Sequence, residues 1–290
     1  MQKISQLTAT ATSAGEFTNG SVATGVSPTI LDAGWFNTIQ RELVAVVNGG
    51  GLTLDSTNDA QLLAAIKALL AAQKGGRIVS VQMFKVSGTY TKSNEANSGF
   101  VFVQGGGGAG MYAISCASNY MSGGAGGGSG GYAESYLTTL PSTAAVVVGT
   151  GGAATASSGA SGGASSFNGT IIGYGGANGA VVTSQASSGT VVQQAGGTGG
   201  GATGGNIKNC QGEQGGWLLL TANGNCQSGR GGRSQDTGGG RAVGGGASAG
   251  VAGANGSGGS GAIGGAAGAA TSALSGGSGG DGYVLVIELS

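Results

Sequence analysis

Histidine is absent, proline occurs twice (Pro28 and Pro141), and only 8% of the residues are charged. Each shortage excludes something. A chain without histidine lacks the commonest general base and the commonest metal ligand. Two prolines rule out a collagen helix, which needs glycine at every third position and abundant proline. Lys+Arg and Asp+Glu both number 11, leaving no basic cluster to hold nucleic acid or an anionic membrane. The three cysteines, Cys116, Cys210 and Cys226, make no Cys-x-x-Cys pair. A Cys210–Cys226 disulfide can be drawn, but the odd count and the lack of a secretion signal favour free thiols in a reducing cytosol. The first 25 residues have no apolar signal-peptide core, and no apolar run reaches transmembrane length, so membrane insertion is not expected.

What the chain has in excess is glycine. Of its 69 glycines, 11 precede residue 100 and 58 lie between Gly105 and Gly282. Glycine has no side chain to bury and loses the most backbone freedom on ordering. The tract must therefore be either a flexible linker or a fold in which backbone contacts replace side-chain packing. Three features favour an ordered domain. Apolar runs interrupt the tract at Ala144–Val148, Thr170–Ile172, Val181–Val182, Val191–Val192 and Trp217–Leu220; strand-like sequence brackets it; and the charge that keeps disordered segments soluble is missing. Runs such as Gly196–Gly205 and Gly253–Gly268 suit either extended threefold glycine helices packed side by side or tight turns between short strands.

Along the chain, residues 1–31 read as an extended attachment arm, polar and small. Asp32 is placed to cap a helix from Ala33 to about Asn48, with Phe36, Ile39, Leu43, Val46 and Val47 on one stripe. Gly49–Gly51 stop it. A second helix begins within Asp55–Asp59 and ends near Gln73, with Leu62, Leu63, Ile66, Leu69 and Leu70 on its apolar face. Two such helices cannot bury their apolar faces alone, so residues 32–76 read as an oligomerisation segment carried by Phe36, Ile39, Leu43, Val47, Leu62, Ile66 and Leu69. Residues 77–290 form the glycine-rich domain. Its strands are expected at Arg77–Val86, Gly99–Gln104, Tyr132–Leu140 and Ala144–Val148, with Ser165–Tyr174 as a further strand or hairpin and Gly88–Thr89 and Lys92–Ser98 as turns. The closing run Tyr283–Leu289 is too apolar to leave as a free edge and is expected to pair with an early strand. The fold class expected is mainly β with an N-terminal helical segment, built as an elongated fibre protomer.

In sequence, Gly15-Glu-Phe-Thr-Asn-Gly20, Trp35-Phe-Asn-Thr-Ile-Gln-Arg-Glu-Leu43, Leu52-Thr-Leu-Asp55 and Asn58–Ile66 are followed by Phe100-Val-Phe-Val103, Gly130–Tyr136, Val146–Gly152, Gly163–Phe167 and Gly279–Leu289. This series resembles a phage tail fibre with a C-terminal glycine-rich domain. The resemblance implies a homotrimer in the virion, made in the host cytoplasm and fixed by its N-terminal part to tail or baseplate proteins. Its glycine-rich domain would then bind a bacterial surface receptor, whether pilus, outer-membrane protein or polysaccharide.

Chemistry-bearing motifs are sparse. The many GxGxxG strings arise from glycine abundance, and none ends in Gly-Lys-Ser/Thr or joins a strand to a helix. Glu134, Glu213, Asp236 and Asp281 supply no spaced acid pair for hydrolysis. No catalytic activity, cofactor or metal is therefore expected. Asn206–Arg241 is the exception in texture, and Trp217, Arg230, Arg233, Gln235, Asp236 and Arg241 are candidate receptor contacts, since Trp and Arg dominate binding hot spots. A buried Leu218–Leu220 strand and solubilising arginines are the competing reading. Tyr112 and Tyr120 are weaker candidates, better suited to packing.

Overall fold

Asp32 Oδ1 accepts a 2.7 Å hydrogen bond from Gly34 N–H and opens α1, Ala33–Gly49. In this computed structural model, which describes residues 2–72, 76–186, 191–221, 225–265 and 270–290, the chain divides into two units, Met1–Gly75 and Gly76–Ser290. In unit 1, α1 packs against α2, Gln61–Ala72, with Val47 and Ala65 buried between them. Gly50 is obligatory there, because a Cβ would strike the Ala65 backbone. The second helix starts later than its sequence suggests: the Asp55 carboxylate accepts from Thr57 N–H at 2.9 Å, and Asn58 Oδ1 accepts from Ala60 N–H. These local bonds compete with helix at residues 55–60.

The N-terminal residues are not extended as expected. They fold into two short 3₁₀ turns, Ile4–Gln6 and Val22–Thr24, with Ile4 buried and Phe17 edge-on to Trp35 at 4.8 Å. Threonine hydroxyls stand in for backbone partners: Thr29 Oγ1 donates to Thr10 O at 3.0 Å and accepts from Thr18 N–H at 2.9 Å. That is why a segment with so little apolar sequence still closes on itself.

Unit 2 contains β1 (Ile78–Phe84), β2 (Gly88–Thr91), β3 (Ser98–Gln104), β4 (Tyr120–Gly124), β5 (Tyr132–Leu137), β6 (Thr143–Val147), β7 (Ser165–Phe167), β8 (Ile171–Gly173), β9 (Val181–Ala186), β10 (Val192–Gln194), β11 (Ala202–Thr203), β12 (Lys208–Cys210), β13 (Leu218–Leu220), β14 (Ile263–Gly264) and β15 (Tyr283–Leu289). All named pairings are antiparallel. One sheet runs β1-β15-β3-β5-β12 and a second runs β11-β8-β7-β6-β2. They pack over a shared core of Tyr90, Val101, Val103, Val146, Phe167, Ile171, Val284 and Val286. The last strand thus lies between the first and third, as its apolar sequence requires. Gly88–Thr89, expected as a turn, is instead the start of β2, because Tyr90 is driven into this core and Thr89 and Thr91 pair with Ala145 and Thr143.

From this sandwich the chain passes into glycine segments joined by backbone hydrogen bonds. Gly105, Gly108 and Met111 donate to Gly131, Gly128 and Ala125; Gly106 and Ala109 donate to Gly163 and Ala160; Gly107 and Gly110 donate to Gly280 and Gly277. The partner changes at each residue and returns at every third, so the N–H groups radiate about 120° apart, as in an extended helix of three residues per turn. The carbonyls of the same segment accept from Gly152, from Gly176 and Gly179, and from Gly259 and Ala262. Segment 105–111 is therefore ringed by six others. Segment 125–131 is ringed in the same way, by residues 105–111, 174–180, 197–200, 213–216, 229–232 and 256–262.

This lattice explains the composition. A Cβ on Gly107, Gly110 or Gly126 would lie under 3.0 Å from the carbonyl oxygen of Ser257, Ser260 or Arg230. At four buried positions a serine hydroxyl does a carbonyl's work. The buried Ser129, Ser165, Ser228 and Ser260 accept from the N–H groups of Glu213, Gly149, Val243 and Val251 at 2.8–2.9 Å. Gln104, fully buried where β3 enters the lattice, donates from Nε2 to Gly130 O at 2.9 Å.

Beyond the lattice lie two small sheets, β14-β4-β9 and β10-β13. Their core is Met121, Ala125, Val182, Leu218, Leu220, Cys226 and Ile263. Unit 2 is accordingly layered along its glycine segments, with the sandwich first, then the lattice, then this end layer.

One buried charge ties the sandwich together. Glu288 on β15 accepts from the Tyr90 hydroxyl of β2 at 2.5 Å and from Ser93 N–H at 3.1 Å. Burial pushes the Glu288 carboxyl up, but hydrogen bonds from Ser93, Tyr90 and Ser80 outweigh it and hold the group below the usual glutamate value of 4.5. A carboxyl depressed in the folded state adds stability above its unfolded pKa, and that contribution is lost as pH falls through the folded value. Glu288→Gln is expected to cost roughly 1–3 kcal/mol near neutral pH. It should also flatten the fall in stability below pH 4.5. Urea midpoints measured from neutral to acid pH check both, and equal midpoints and slopes for the two proteins would remove Glu288 from the account.

Candidate functional site

The candidate contacts sit on four parts of unit 2. Trp217 immediately precedes β13 and is 61% exposed, while Leu218 and Leu220 beside it are buried in the end-layer core. Alternation sends the indole out and the two leucines in. Arg230 lies on the adjoining lattice segment, its carbonyl accepting from Gly216 N–H at 2.7 Å. Arg241 is exposed on a separate segment.

Arg233, Gln235 and Asp236 belong to the turn at residues 233–238, where the chain reverses between lattice segments. Two carboxylates fasten this turn. Glu213 accepts from the Arg230 guanidinium and, at 2.8 Å, from Arg233 N–H. Asp236 accepts from the Tyr283 hydroxyl at the base of β15. Burial and then the Asp236 carboxylate push the Tyr283 hydroxyl far above the ordinary phenol range. Tyr132 is pushed up by burial, then by Glu134 and Asp236. Both tyrosines therefore remain protonated hydrogen-bond donors at physiological pH.

A cavity of about 330 Å³ opens beneath the turn, lined by Tyr132, Cys210, Gln211, Glu213, Arg233 and Gln235 among others. The structure thus brings Arg233 and Gln235 to one cavity, sets Arg230 and Asp236 in the bonds that hold its roof, and leaves Trp217 and Arg241 outside it. Glu213 and Tyr283 are the residues that sequence reasoning passed over as functional. Glu213 falls inside the singled-out segment Asn206–Arg241 without being a candidate contact, and Tyr283 read as one more position in an apolar strand. Cys116, Cys210 and Cys226 are free, with Cys226 Sγ buried 3.5 Å from Met121 Sδ. Among the described residues no group of three or more His, Cys, Asp or Glu is placed to hold a metal.

In unit 1, Phe36, Ile39, Leu43, Val47 and Leu62 line a mostly apolar groove of about 520 Å³ together with Val44 and Leu54, with Gln40, Asn58, Asp59 and Gln61 also on its wall. Ile66 is exposed and Leu69 half-buried, both away from that groove. Val47 already packs within the helix pair. No helix among the described residues is long and apolar enough to cross a membrane.

Compared with known proteins, residues 84–287 match the profile of a family described as a glycine-rich domain. A 58-residue stretch is 41% identical to the uncharacterized protein StfP of Escherichia coli (strain K12), taking in 20% of this chain and 28% of StfP. The chain therefore spans under a third of that relative's length.

Proposed function

Because the chain belongs to the glycine-rich domain family, we propose that it is a phage tail fibre whose N-terminal part attaches to the tail or baseplate and whose glycine-rich domain binds a bacterial surface receptor during adsorption. The role is adhesive and not enzymatic, and the working form is a homotrimer assembled through the apolar groove of the helical unit. Its location is the virion.

The observation that carries this reading is the glycine lattice. It fixes a small end layer and its loops through backbone hydrogen bonds, so that exposed side chains such as Trp217 are presented at little conformational cost. The ordered series of motifs read from the sequence supplies the tail-fibre part of the proposal. The residue-level contacts proposed are Trp217, Arg230, Arg233, Gln235, Asp236 and Arg241.

The test is adsorption competition. Pre-incubating susceptible cells with full-length protein at about ten times its Kd should occupy about nine-tenths of the receptors and slow phage adsorption by roughly tenfold. Unchanged adsorption, with no protein retained on the cells, would make the chain a structural component and not an adhesin.

A further inference from the structure

The two outer faces of the sandwich differ in chemistry. On the β11-β8-β7-β6-β2 sheet apolar and polar side chains alternate on the outward face: Thr89 lies beside Ala145, and Val147, Ser166, Ile172 and Thr203 form a row. On the β1-β15-β3-β5-β12 sheet, Val81, Ile287, Phe100 and Tyr136 stand side by side across four strands, and Met83, Leu285 and Phe102 form the next row. Val81 is 58% and Met83 51% exposed, and the others are only half-buried. β1 is also the open edge of that sheet. A long apolar edge joined to an apolar face is a feature that folded proteins cover.

We infer that this face is an interface between copies of this chain. It carries no charge except at one border, where Glu134 and Lys208 lie opposite each other. A second copy thus meets no like-charge repulsion, and no partner of opposite charge is selected. The row next to the lattice, Tyr283, Gln104 and Tyr132, is already buried. The turn carrying Arg233, Gln235 and Asp236 lies over that buried row, with Asp236 accepting from the Tyr283 hydroxyl, so the proposed receptor contacts stay outside the two apolar rows.

Size decides what kind of interface it is. Four strands about 4.8 Å apart, over two apolar rows, present a projected footprint on the order of 300 Å². That is well below the roughly 800 Å² per partner of a free-standing dimer. The face is therefore a secondary contact that depends on association elsewhere. Only residues 73–77 separate α2 from β1, so copies associated through unit 1 hold their second units at high effective concentration. In this respect the inference rests on the homotrimer proposed above.

The test uses full-length protein with single cysteines at Val81→Cys or Met83→Cys, and Ala145→Cys on the opposite face, each treated with a short bismaleimide and compared with the parent chain. Covalent multimers from the first two at least about tenfold above both Ala145→Cys and parent are the expected result. The double substitution Val81→Lys and Met83→Lys, which leaves the core untouched, should weaken self-association by about tenfold or more in sedimentation. An oligomer that cross-links equally at all three positions, or is unmoved by the lysines, overturns the face and leaves the oligomer standing. A monomeric parent chain at micromolar concentration overturns both.

Discussion

Replacing Gly126 by alanine should unfold unit 2, although the change adds a single methyl group. Gly126 donates to Gly216 and accepts from Gly197, and its added Cβ would press on the Arg230 and Gly229 carbonyls. Those atoms are backbone, so no rotamer change relieves the clash, and the segments must separate. Overpacking costs about 1–3 kcal/mol, and each backbone hydrogen bond lost in a dry interior adds about 1 kcal/mol or more. A total near 3–5 kcal/mol approaches the whole stability of many domains. Gly238→Ala and Gly246→Ala are the controls, because nothing lies within 4 Å of either built Cβ; surface changes of this kind stay within about 0.5 kcal/mol. Urea unfolding followed by amide exchange distinguishes them. Equal stability for Gly126→Ala and Gly246→Ala would mean that the segments are not packed backbone to backbone.

Val286→Asp should be at least as damaging. Val286 is fully buried in the middle of β15, with Gln82 of β1 on one side and Val101 of β3 on the other. A carboxylate there has no partner, and an unpaired buried charge costs several kcal/mol or is neutralised by an equally costly pKa shift. Because β15 joins both neighbouring strands, the loss is not confined to an edge. The expected result is loss of the cooperative unfolding transition of unit 2, with Val286→Ile as the benign comparison. A soluble Val286→Asp protein that keeps amide protection in β1 and β3 would contradict the sheet order.

Much of the architecture was legible because it rests on side chains. The α1 cap at Asp32, the stop at Gly49–Gly51 and the central position of Tyr283–Leu289 follow from pattern and from the need to cover apolar strands. Tyr120–Gly124 and Lys208–Cys210 were not legible as strands, since glycine, serine, lysine and asparagine carry little strand preference and neighbouring segments supply the order. Gly88–Thr89 misled for the opposite reason, its turn-like glycine being overridden by Tyr90 seeking the core. At the candidate site, Trp217 and the arginines stood out by type. The fastening roles of Glu213 and Asp236 did not, because their partners Arg230 and Tyr283 come together only through the reversal at residues 233–238.

The ring of neighbours around segment 105–111 also has a consequence in time. Its donors reach residues 125–131, then 160–163, then 277–280, so the last of these bonds await residues about 170 positions further along the chain. Long loops must close before most of these bonds can form, which sets a high contact order and a slow, late-committing folding reaction. A ribosome-bound fragment ending before residue 275 lacks the acceptors Gly277 and Gly280, so the ring around segment 105–111 closes only once those residues have left the ribosome.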